Sequence, residues 1–460
     1  MSMSGAPFQV DEDSIQRVLA EPALPDAEVR TILAKAALMK GLSYHEVGAL
    51  IRVTDPVLLD EMFHTARKVK EEIYGNRIVL FAPLYASNVC GNECVYCAFR
   101  ASNKTLERKT LTPAELQEET RAMIRQGHKR IVLLAGEALG VDYILEAIKA
   151  IYATKEGNGE IRRINVEIAP MSVEDFRRLH ASSIGTYITF QETYHRATYE
   201  QNHLRGRKKD FSWRLECMDR AMEAGIEDVG IGALLGLTDW RFEVLAMIQH
   251  ANHLERRFGC GPHTISVPRI EPADGSEVSL APPHAVNDLD FRKLIAILRM
   301  AVPYTGIILS TRERADTRQA CLQLGVSQIS AGSRTDPGGY GQEHGNGAQF
   351  SLGDHRSLDE VVRDLAEMDF VPSFCTGCYR LGRVGADFMD LAKPGEIKSH
   401  CHPNAVSTFQ EYLQDYASPA TVAAGEACIE RTLKTMEPGL AEFTRTMAER
   451  VRKGERDVYC

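Results

Sequence analysis

The sequence lacks the features that would direct a protein to nucleic acids or membranes. Its net charge of −9 and pI near 5.9 give no electrostatic reason to bind nucleic acid or an anionic membrane. No apolar run reaches the roughly 20 residues that a membrane-spanning helix needs. The first residues contain neither a basic stretch nor an apolar one, so we expect no secretory signal and a cytoplasmic location.

Cysteine is plentiful, with 11 residues in the chain. In a reducing cytoplasm such residues bind metals more often than they form disulfides. We expect the isolated Cys217, Cys260, Cys321 and Cys428 to be small buried hydrophobic residues. We expect Cys460 to be a solvent-exposed thiol.

The chain alternates strand-like and helical stretches after an N-terminal segment with helical periodicity. Strands are predicted at 78–85, 131–135, 164–168, 186–190, 228–233, 264–268, 306–310 and 326–330. Helices are predicted between them at 113–125, 143–152, 173–179, 213–224, 241–257 and 290–300. Such alternation implies parallel strands with right-handed crossovers. The sequence therefore predicts an α/β protein with a (β/α)8 TIM-type barrel at 76–340, an N-terminal helical extension at 1–75 and a mainly helical C-terminal domain at 341–460. The Gly-rich segment 336–347 is predicted to be a loop.

Three cysteines with the spacing C-x3-C-x2-C, Cys90, Cys94 and Cys97, directly follow the first predicted strand. A 4Fe–4S cluster normally takes four thiolates, and no nearby residue supplies a fourth. One iron would stay open to a small molecule, which favours chemistry over electron storage. A zinc site or a metal-free thiol cluster is the alternative, although zinc sites mostly use repeated C-x2-C pairs or histidines.

This motif, with Tyr96 before the last cysteine, resembles that of the radical S-adenosylmethionine (SAM) superfamily. The resemblance implies that the open iron chelates the amino and carboxylate groups of SAM. One electron then cleaves the sulfonium and yields a 5′-deoxyadenosyl radical. By the same resemblance Tyr96 would lie near the adenine.

Polar residues stand at the ends of several predicted strands. Gly136 would let a ligand approach the backbone, and Glu137 could accept a hydrogen bond from an ammonium group. Glu167, Glu192 and Arg312 follow other strands, and His263 precedes one. Singly, each could form a salt bridge at the barrel rim. Together they place side chains of both charge signs around the mouth of the barrel, which suits a zwitterionic ligand. Such barrels bind their ligands at the C-terminal ends of their strands.

A second group of cysteines, Cys375, Cys378 and Cys401, lies far along the chain in a C-x2-C-x22-C pattern. Three thiolates again permit a cluster with one open iron. A zinc ribbon completed by His400 or His402 is the alternative that spacing alone leaves open.

The second pattern resembles the HydG family of tyrosine lyases, which act in FeFe-hydrogenase maturation, and the likeness extends from about residue 75 to the end. Six further stretches resemble that family: 166–175, 190–195, 221–233, 261–266, 370–375 and 454–457. The resemblance implies cleavage of the Cα–Cβ bond of L-tyrosine to p-cresol and dehydroglycine. Dehydroglycine would become carbon monoxide and cyanide on an auxiliary 4Fe–4S cluster, for assembly of the hydrogenase active site.

Residue roles follow from the same resemblance. Cys90, Cys94 and Cys97 would hold the SAM-binding cluster, and Cys375, Cys378 and Cys401 the auxiliary one. His263 would ligate a fifth iron that is joined through a free cysteine, and Arg312 would pair with the tyrosine carboxylate. The candidates for contacts with SAM are Tyr96, Gly136, Glu137, Glu167, Glu192 and Arg214. Other hydrogenase maturases and a reductase are the expected protein partners.

Two alternative functions remain open. One is a lyase of the thiazole-synthesis type, which makes dehydroglycine only and needs no second cluster. The other is a non-enzymatic scaffold that assembles and delivers iron–sulfur clusters. The second cysteine group and His263 argue against the first, and the polar residues at the strand ends argue against the second. We also expect an enclosed path from the barrel mouth to the C-terminal cluster, because the intermediates would otherwise be lost.

Overall fold

The computed structural model describes residues 5–341 and 347–460 and contains a parallel sheet closed into a barrel. Its strands are β1 (Arg77–Ser87), β2 (Arg130–Ala135), β3 (Lys155–Glu156), β4 (Gly159–Glu160), β5 (Arg163–Glu167), β6 (Tyr187–Ile188), β7 (Val229–Gly232), β8 (Thr264–Ser266), β9 (Gly306–Leu309), β10 (Gln328–Ser330) and β11 (Val371–Ser373). Strands β3 and β4 form a separate hairpin, and the pairing of β10 with β1 closes β1, β2 and β5 to β10 into an eight-stranded barrel. The predicted fold is confirmed, with each barrel strand within two residues of its predicted ends.

Strand β1 is long enough to pair with three other strands. Its C-terminal half pairs with β2, its middle with β10, and its first residues with β11. Strand β11 is a short edge strand that was not predicted, because it has three residues and contains Pro372, which cannot donate to a ladder. It adds a ninth parallel strand beside the start of β1 and leads directly into Cys375.

The N-terminal extension is helical, as predicted, and packs on the outside of the barrel against the helices Trp240–Phe258 and Asp288–Ala301. Its helices are α1 (Glu12–Leu19), α2 (Asp26–Ala36), α3 (Tyr44–Ile51) and α4 (Pro56–Tyr74). Asp55 begins α4 by accepting from the backbone N–H groups of Val57 and Leu58. Gly75 ends it with φ +64°, and a Cβ there would lie 1.8 Å from Nε2 of His402. Glycine is therefore required at this position by conformation and by space.

The helices around the barrel are α5 (Pro113–Arg125), α6 (Val141–Tyr152), α7 (Val173–His180), α8 (Arg196–Asn202), α9 (Phe211–Leu215), α10 (Cys217–Glu223), α11 (Trp240–Phe258), α12 (Glu277–Leu280), α13 (Asp288–Ala301) and α14 (Ala315–Leu322). The single helix predicted at 213–224 is wrong, since the structure divides it into α9 and α10. The Arg220 guanidinium donates to the carbonyl of Trp213 at 2.5 Å and lies over its ring, which occupies a carbonyl that a continuous helix would use.

The C-terminal region is helical, as expected, with α15 (Leu358–Glu367), α16 (Gly377–Arg380), α17 (Gly385–Ala392), α18 (Lys398–Asp415), α19 (Pro419–Thr435) and α20 (Pro438–Arg452). Glu411 of α18 is buried and joins this region to the barrel by ion pairs with Lys129 (3.1 Å) and Arg162 (2.7 Å). The domain boundaries at 75 and 340 stay predictions. The loop predicted at 336–347 lies partly outside the described residues, and its described part consists mainly of turns. No helix within residues 5–341 and 347–460 is long and apolar enough to cross a membrane.

Candidate active site and second thiol site

The thiols of Cys90, Cys94 and Cys97 line one cavity at the C-terminal end of β1. Their loop has almost no regular structure and is held by the segment after α8. The N–H of Glu93 donates to the carbonyl of Arg205 (2.9 Å), and that of Val95 donates to Asn202 (3.1 Å). Burial raises the pKa of all three thiols, because an uncompensated thiolate charge is unfavourable in this cavity. A bound cation or cluster would compensate that charge. Three thiols on one cavity fit a cluster with an open iron.

Two carboxylates and two cations form a buried network on the same cavity. Arg214 Nη1 lies 2.8 Å from Glu137 Oε1 and Arg214 Nη2 lies 3.5 Å from Glu192 Oε1. Lys208 Nζ lies 2.6 Å from Glu192 Oε1. Burial raises the pKa of Glu137, but the charges of Arg214 and Lys208 outweigh it and lower the pKa to about 2. Both carboxylates are held in the ionised form, because the pKa of Glu192 is lowered by the same cations against the effect of burial.

Glu167 differs from the other two carboxylates because no ion pair joins it to a basic side chain among the described residues. Burial first, and then the neighbouring Glu192 charge, raise its pKa to about 7. A bound positive charge would compensate this partly buried carboxyl, so the site is suited to a cationic ligand.

The backbone around Gly136 leaves no room for a side chain at this position. A Cβ at this position would lie 2.3 Å from the carbonyl oxygen of Val89, the residue before Cys90. The glycine therefore lets β2 end directly against the cysteine loop, and it also lines the cavity.

A second cavity continues from the first into the barrel. The two share Tyr85, Leu134, Glu167 and Gln349. Arg312 lines the inner cavity, where its guanidinium carbon lies 3.3 Å from the centre of the Phe350 ring. Arg312 is half-buried and forms no ion pair in the described part of the chain, and desolvation lowers its pKa. A free guanidinium beside aromatic walls fits an aromatic amino acid, with the carboxylate on arginine.

Cys375, Cys378 and Cys401 line a third cavity, at the opposite end of the barrel. Its other walls include the first residues of β2, β9 and β10 and the side chain of His263. A hydrogen bond from the Cys401 thiol lowers the pKa of Cys378 to about 6. The nearby charges of Arg77 and Arg383 stabilise the Cys378 thiolate further. Three thiols and an imidazole on one cavity fit an iron–sulfur cluster beside a further metal ion.

His263 reaches this cavity from the residue before β8. Its Nε2 lies 3.3 Å from the hydroxyl of Tyr379, and its Nδ1 lies 3.4 Å from Oδ1 of Asp228. Asp228 in turn accepts from the N–H of Gly385 at 3.0 Å. Burial lowers the pKa of His263, which keeps the imidazole neutral and able to bind a metal.

The zinc alternative needs His400 or His402 beside the three thiols. Neither histidine lines the cavity of the three thiols. Nδ1 of His400 lies 3.2 Å from the Arg383 guanidinium. The identity of the metal group at this site stays a prediction.

Residues 84–247 match the radical SAM superfamily, and residues 266–371 match the biotin and thiamin synthesis associated domain. The 2-iminoacetate synthase of Salmonella typhimurium is 32% identical over 347 residues, covering 75% of this chain and 89% of that protein. The Escherichia coli 2-iminoacetate synthase is 30% identical over 380 residues, covering 82% and 97%. A crystal structure of HydG, a maturase of the FeFe-hydrogenase, superposes with a TM-score of 0.95 at 48% identity, covering 98% of this chain and 99% of that chain. The chain belongs to the HydG family of radical SAM enzymes. A structure of HydG from Carboxydothermus hydrogenoformans superposes with a TM-score of 0.83 at 42% identity, covering 95% of this chain and 96% of that chain.

Membership of the HydG family implies a 4Fe–4S cluster and SAM. The residues predicted to bind this cluster and SAM lie together on one cavity, with one exception. One cavity is lined by Cys90, Cys94, Cys97, Gly136, Glu137, Glu167, Glu192 and Arg214. Tyr96 does not line it among the described residues, because its hydroxyl turns to Nε2 of His203 at 2.8 Å. The role of Tyr96 beside the adenine stays a prediction.

Sequence reasoning missed two polar residues of this HydG-family site. Lys208 lies in a short 3-10 turn between α8 and α9. It does not follow a strand, so the pattern of polar residues at strand ends did not predict it. Asn92 lies between the first two cysteines and donates to Glu137 Oε2 at 2.8 Å. The prediction for Cys460 was also wrong. Its thiol is partly buried, and its N–H donates to Asn404 Oδ1 at 2.8 Å, beside the second thiol site.

Proposed function

We propose that this enzyme cleaves the Cα–Cβ bond of L-tyrosine to p-cresol and dehydroglycine, and converts dehydroglycine to carbon monoxide and cyanide at a second cluster. The observation that carries the proposal is the presence of two cysteine triads at opposite ends of one barrel. The carbon monoxide and cyanide would serve the assembly of the FeFe-hydrogenase active site, together with other maturases and a reductase that supplies electrons.

At the barrel mouth, Cys90, Cys94 and Cys97 hold the cluster that binds SAM. When bound, the cluster and SAM together supply a carbon-centred radical. Glu167 is an acceptor for an N–H of the SAM amino group, which would bind the open iron as a neutral amine, because no basic side chain of the described residues forms an ion pair with Glu167. Glu137, Glu192 and Arg214 form the charged wall beside it, and Lys208 keeps Glu192 ionised.

L-tyrosine occupies the inner cavity. Arg312 holds its carboxylate, and Phe81, Phe190 and Phe350 supply apolar walls for the ring. The contiguity of this cavity with the SAM cavity brings the amine of the substrate toward the radical. Burial of the pair excludes water from the reacting atoms.

At the far end, Cys375, Cys378 and Cys401 hold the auxiliary cluster, and His263 ligates a fifth iron that also takes a free cysteine. Arg77 and Arg130 have Nε groups that are buried without hydrogen-bond partners. Their charge suits anionic ligands such as cyanide or a carboxylate.

The route between the two ends runs through the barrel interior. Phe81, Val132, Ile188 and Ile308 form an apolar belt there. Small residues lie next to this belt: Gly306 is on the same strand as Ile308, and a Cβ at Gly230 would lie 3.0 Å from Ile188. The buried hydroxyl of Thr264, between these glycines, has no hydrogen-bond partner among the described residues. An enclosed path for dehydroglycine past these small residues is part of the proposal.

The test is to incubate the anaerobically reconstituted enzyme with tyrosine, SAM and dithionite, and to measure p-cresol and carbon monoxide together. Both products in comparable amounts are expected. Neither product from enzyme with intact clusters would refute the tyrosine assignment.

The second candidate is a lyase that makes dehydroglycine alone, as the similarity to two 2-iminoacetate synthases suggests. It predicts p-cresol without carbon monoxide in the same assay. The cavity shared by the second cysteine triad and His263 favours the two-cluster enzyme. A scaffold without catalysis would leave SAM uncleaved.

A further inference from the structure

A buried carboxylate lies behind the loop that carries Glu192. Glu243 of α11 is fully buried, and no basic side chain of the described residues forms an ion pair with it. It does not line the SAM cavity. Its position therefore needs an explanation other than contact with a ligand.

Both oxygens of Glu243 hold the residues that follow Glu192. Oε1 accepts from the hydroxyl of Thr193 at 2.5 Å, and Oε2 accepts from the N–H of Tyr194 at 3.0 Å. The Thr193 hydroxyl also contacts that of Thr238 at 2.8 Å. Two consecutive residues are thus fixed by one side chain of the helix behind them.

Glu192 itself has an unfavourable backbone conformation. Its φ is +70°, in the left-handed region that costs a residue with a side chain of order 1 kcal/mol or more. Its carbonyl accepts from the N–H of Leu234 at 2.8 Å, and its carboxylate faces Lys208 and Arg214 in the cavity. This conformation persists only where the surrounding contacts enforce it.

Burying Glu243 is itself unfavourable. Burial raises its pKa to about 7, because no cation compensates the charge. The burial of Glu243 is explained if the two residues after Glu192, which it holds in place, provide a gain that offsets this cost.

We propose that Glu243 is a positioning residue for SAM binding, which acts by holding Thr193 and Tyr194 so that Glu192 keeps its left-handed conformation and directs its carboxylate into the cavity. This inference rests on the proposed role of that cavity in binding SAM. It assigns a function to a residue that touches neither SAM nor the cluster.

The test compares Glu243→Leu and Glu243→Gln with the wild type as reconstituted holoenzymes. The dissociation constant for SAM is measured by equilibrium dialysis without turnover, the Tm by calorimetry, and the KM for SAM and kcat separately. Glu119→Leu is the matched control. Glu119 is also a buried carboxylate with a raised pKa, and it accepts from the N–H groups of Tyr340 (3.0 Å) and Gly341 (2.7 Å), away from the SAM cavity.

We expect Glu243→Leu to weaken SAM binding at least tenfold and to raise the KM for SAM, with kcat at saturating SAM near the wild-type value. Glu243→Gln should recover most of the affinity, since its amide oxygen can still accept from Tyr194. Glu119→Leu should leave SAM affinity unchanged. Unchanged SAM affinity in Glu243→Leu would overturn the inference. So would a loss that follows a fall in Tm and is not recovered by Gln. A wild-type enzyme that binds no SAM would instead refute the proposed function.

Discussion

Val79 of β1 pairs in parallel register with Ser373 of β11, and Cys375 follows two residues after that pair. The same β1 strand runs at its other end into the loop of Cys90. One strand therefore spans the distance between the two cysteine triads and fixes them at opposite ends of the barrel. This arrangement makes it possible to disable one site while the other stays intact.

Replacing Cys375 with alanine should abolish carbon monoxide and leave p-cresol. The thiol lines only the far cavity, so SAM cleavage at the mouth should continue. Iron and sulfide content should fall to that of one cluster, measured by colorimetric assay beside the two products. Cys428→Ala is the control, because Cys428 is a buried cysteine that lines neither cysteine-bearing cavity. Loss of p-cresol in Cys375→Ala, with Cys428→Ala active, would contradict the separation of the sites.

Replacing Arg312 with glutamine should raise the KM for tyrosine and leave SAM binding unchanged. Loss of a buried charge partner for the substrate carboxylate costs about 2–5 kcal/mol. Arg312→Lys should be intermediate, because lysine keeps the charge and loses the two-pronged geometry. Steady-state kinetics with tyrosine as the varied substrate measure the effect. Arg314→Gln is the control, since Arg314 is exposed and pairs with Asp288 and Asp316. An equal KM change in both variants would argue against a contact with substrate.

The barrel could be predicted because its signals are local. Strand-helix alternation and cysteine spacing are readable in short windows, and the eight strands and both cysteine triads were located in this way. The parts that were missed depend on contacts between distant segments. Lys208 belongs to the site because the turn after α8 folds back on Asn92, and the N–H of Lys208 donates to Asn92 Oδ1 at 3.1 Å. Nothing in the spacing of these residues indicates that contact.

Glu243 illustrates the same limit for second-layer contacts. A glutamate in an amphipathic helix is usually solvated, and only the packing of α11 against the 192–195 loop reveals its buried position. Strand β11 was missed for a different reason, since a three-residue edge strand with a proline carries too weak a local pattern.

SAM affinity should increase as the pH rises from 6 to 7.5. Burial raises the pKa of Glu167 to about 7, so the carboxylate that accepts from the SAM amino group forms progressively over this range. The α-amino group, whose ordinary pKa is about 7.7–8.0, must also lose its proton to bind the iron, and this adds to the slope in every variant. Equilibrium dialysis at constant ionic strength measures the profile. Glu167→Gln should reduce the slope. Glu137→Gln should weaken binding at every pH and keep the slope, because the pKa of Glu137 is about 2. A slope that is undiminished in Glu167→Gln would assign the titration to other groups.

Replacing Gly306 with valine should separate the two half-reactions. A Cβ at Gly306 would already lie 2.7 Å from Nε2 of Gln328 and 3.3 Å from the carbonyl of His263, so a branched side chain narrows the third cavity, which Gly306 lines. In our proposal tyrosine and SAM bind on the other side of the apolar belt, and their binding should be unaffected. We therefore expect p-cresol near the wild-type amount, carbon monoxide reduced several-fold, and dehydroglycine or its hydrolysis product glyoxylate released into solution. Gly439→Val is the control, because no atom lies within 4 Å of a Cβ at that position. If carbon monoxide and p-cresol stay in the wild-type ratio, dehydroglycine does not travel past Gly306. If both fall together, the substitution disturbs the barrel itself, which the Tm and the affinity for SAM would reveal.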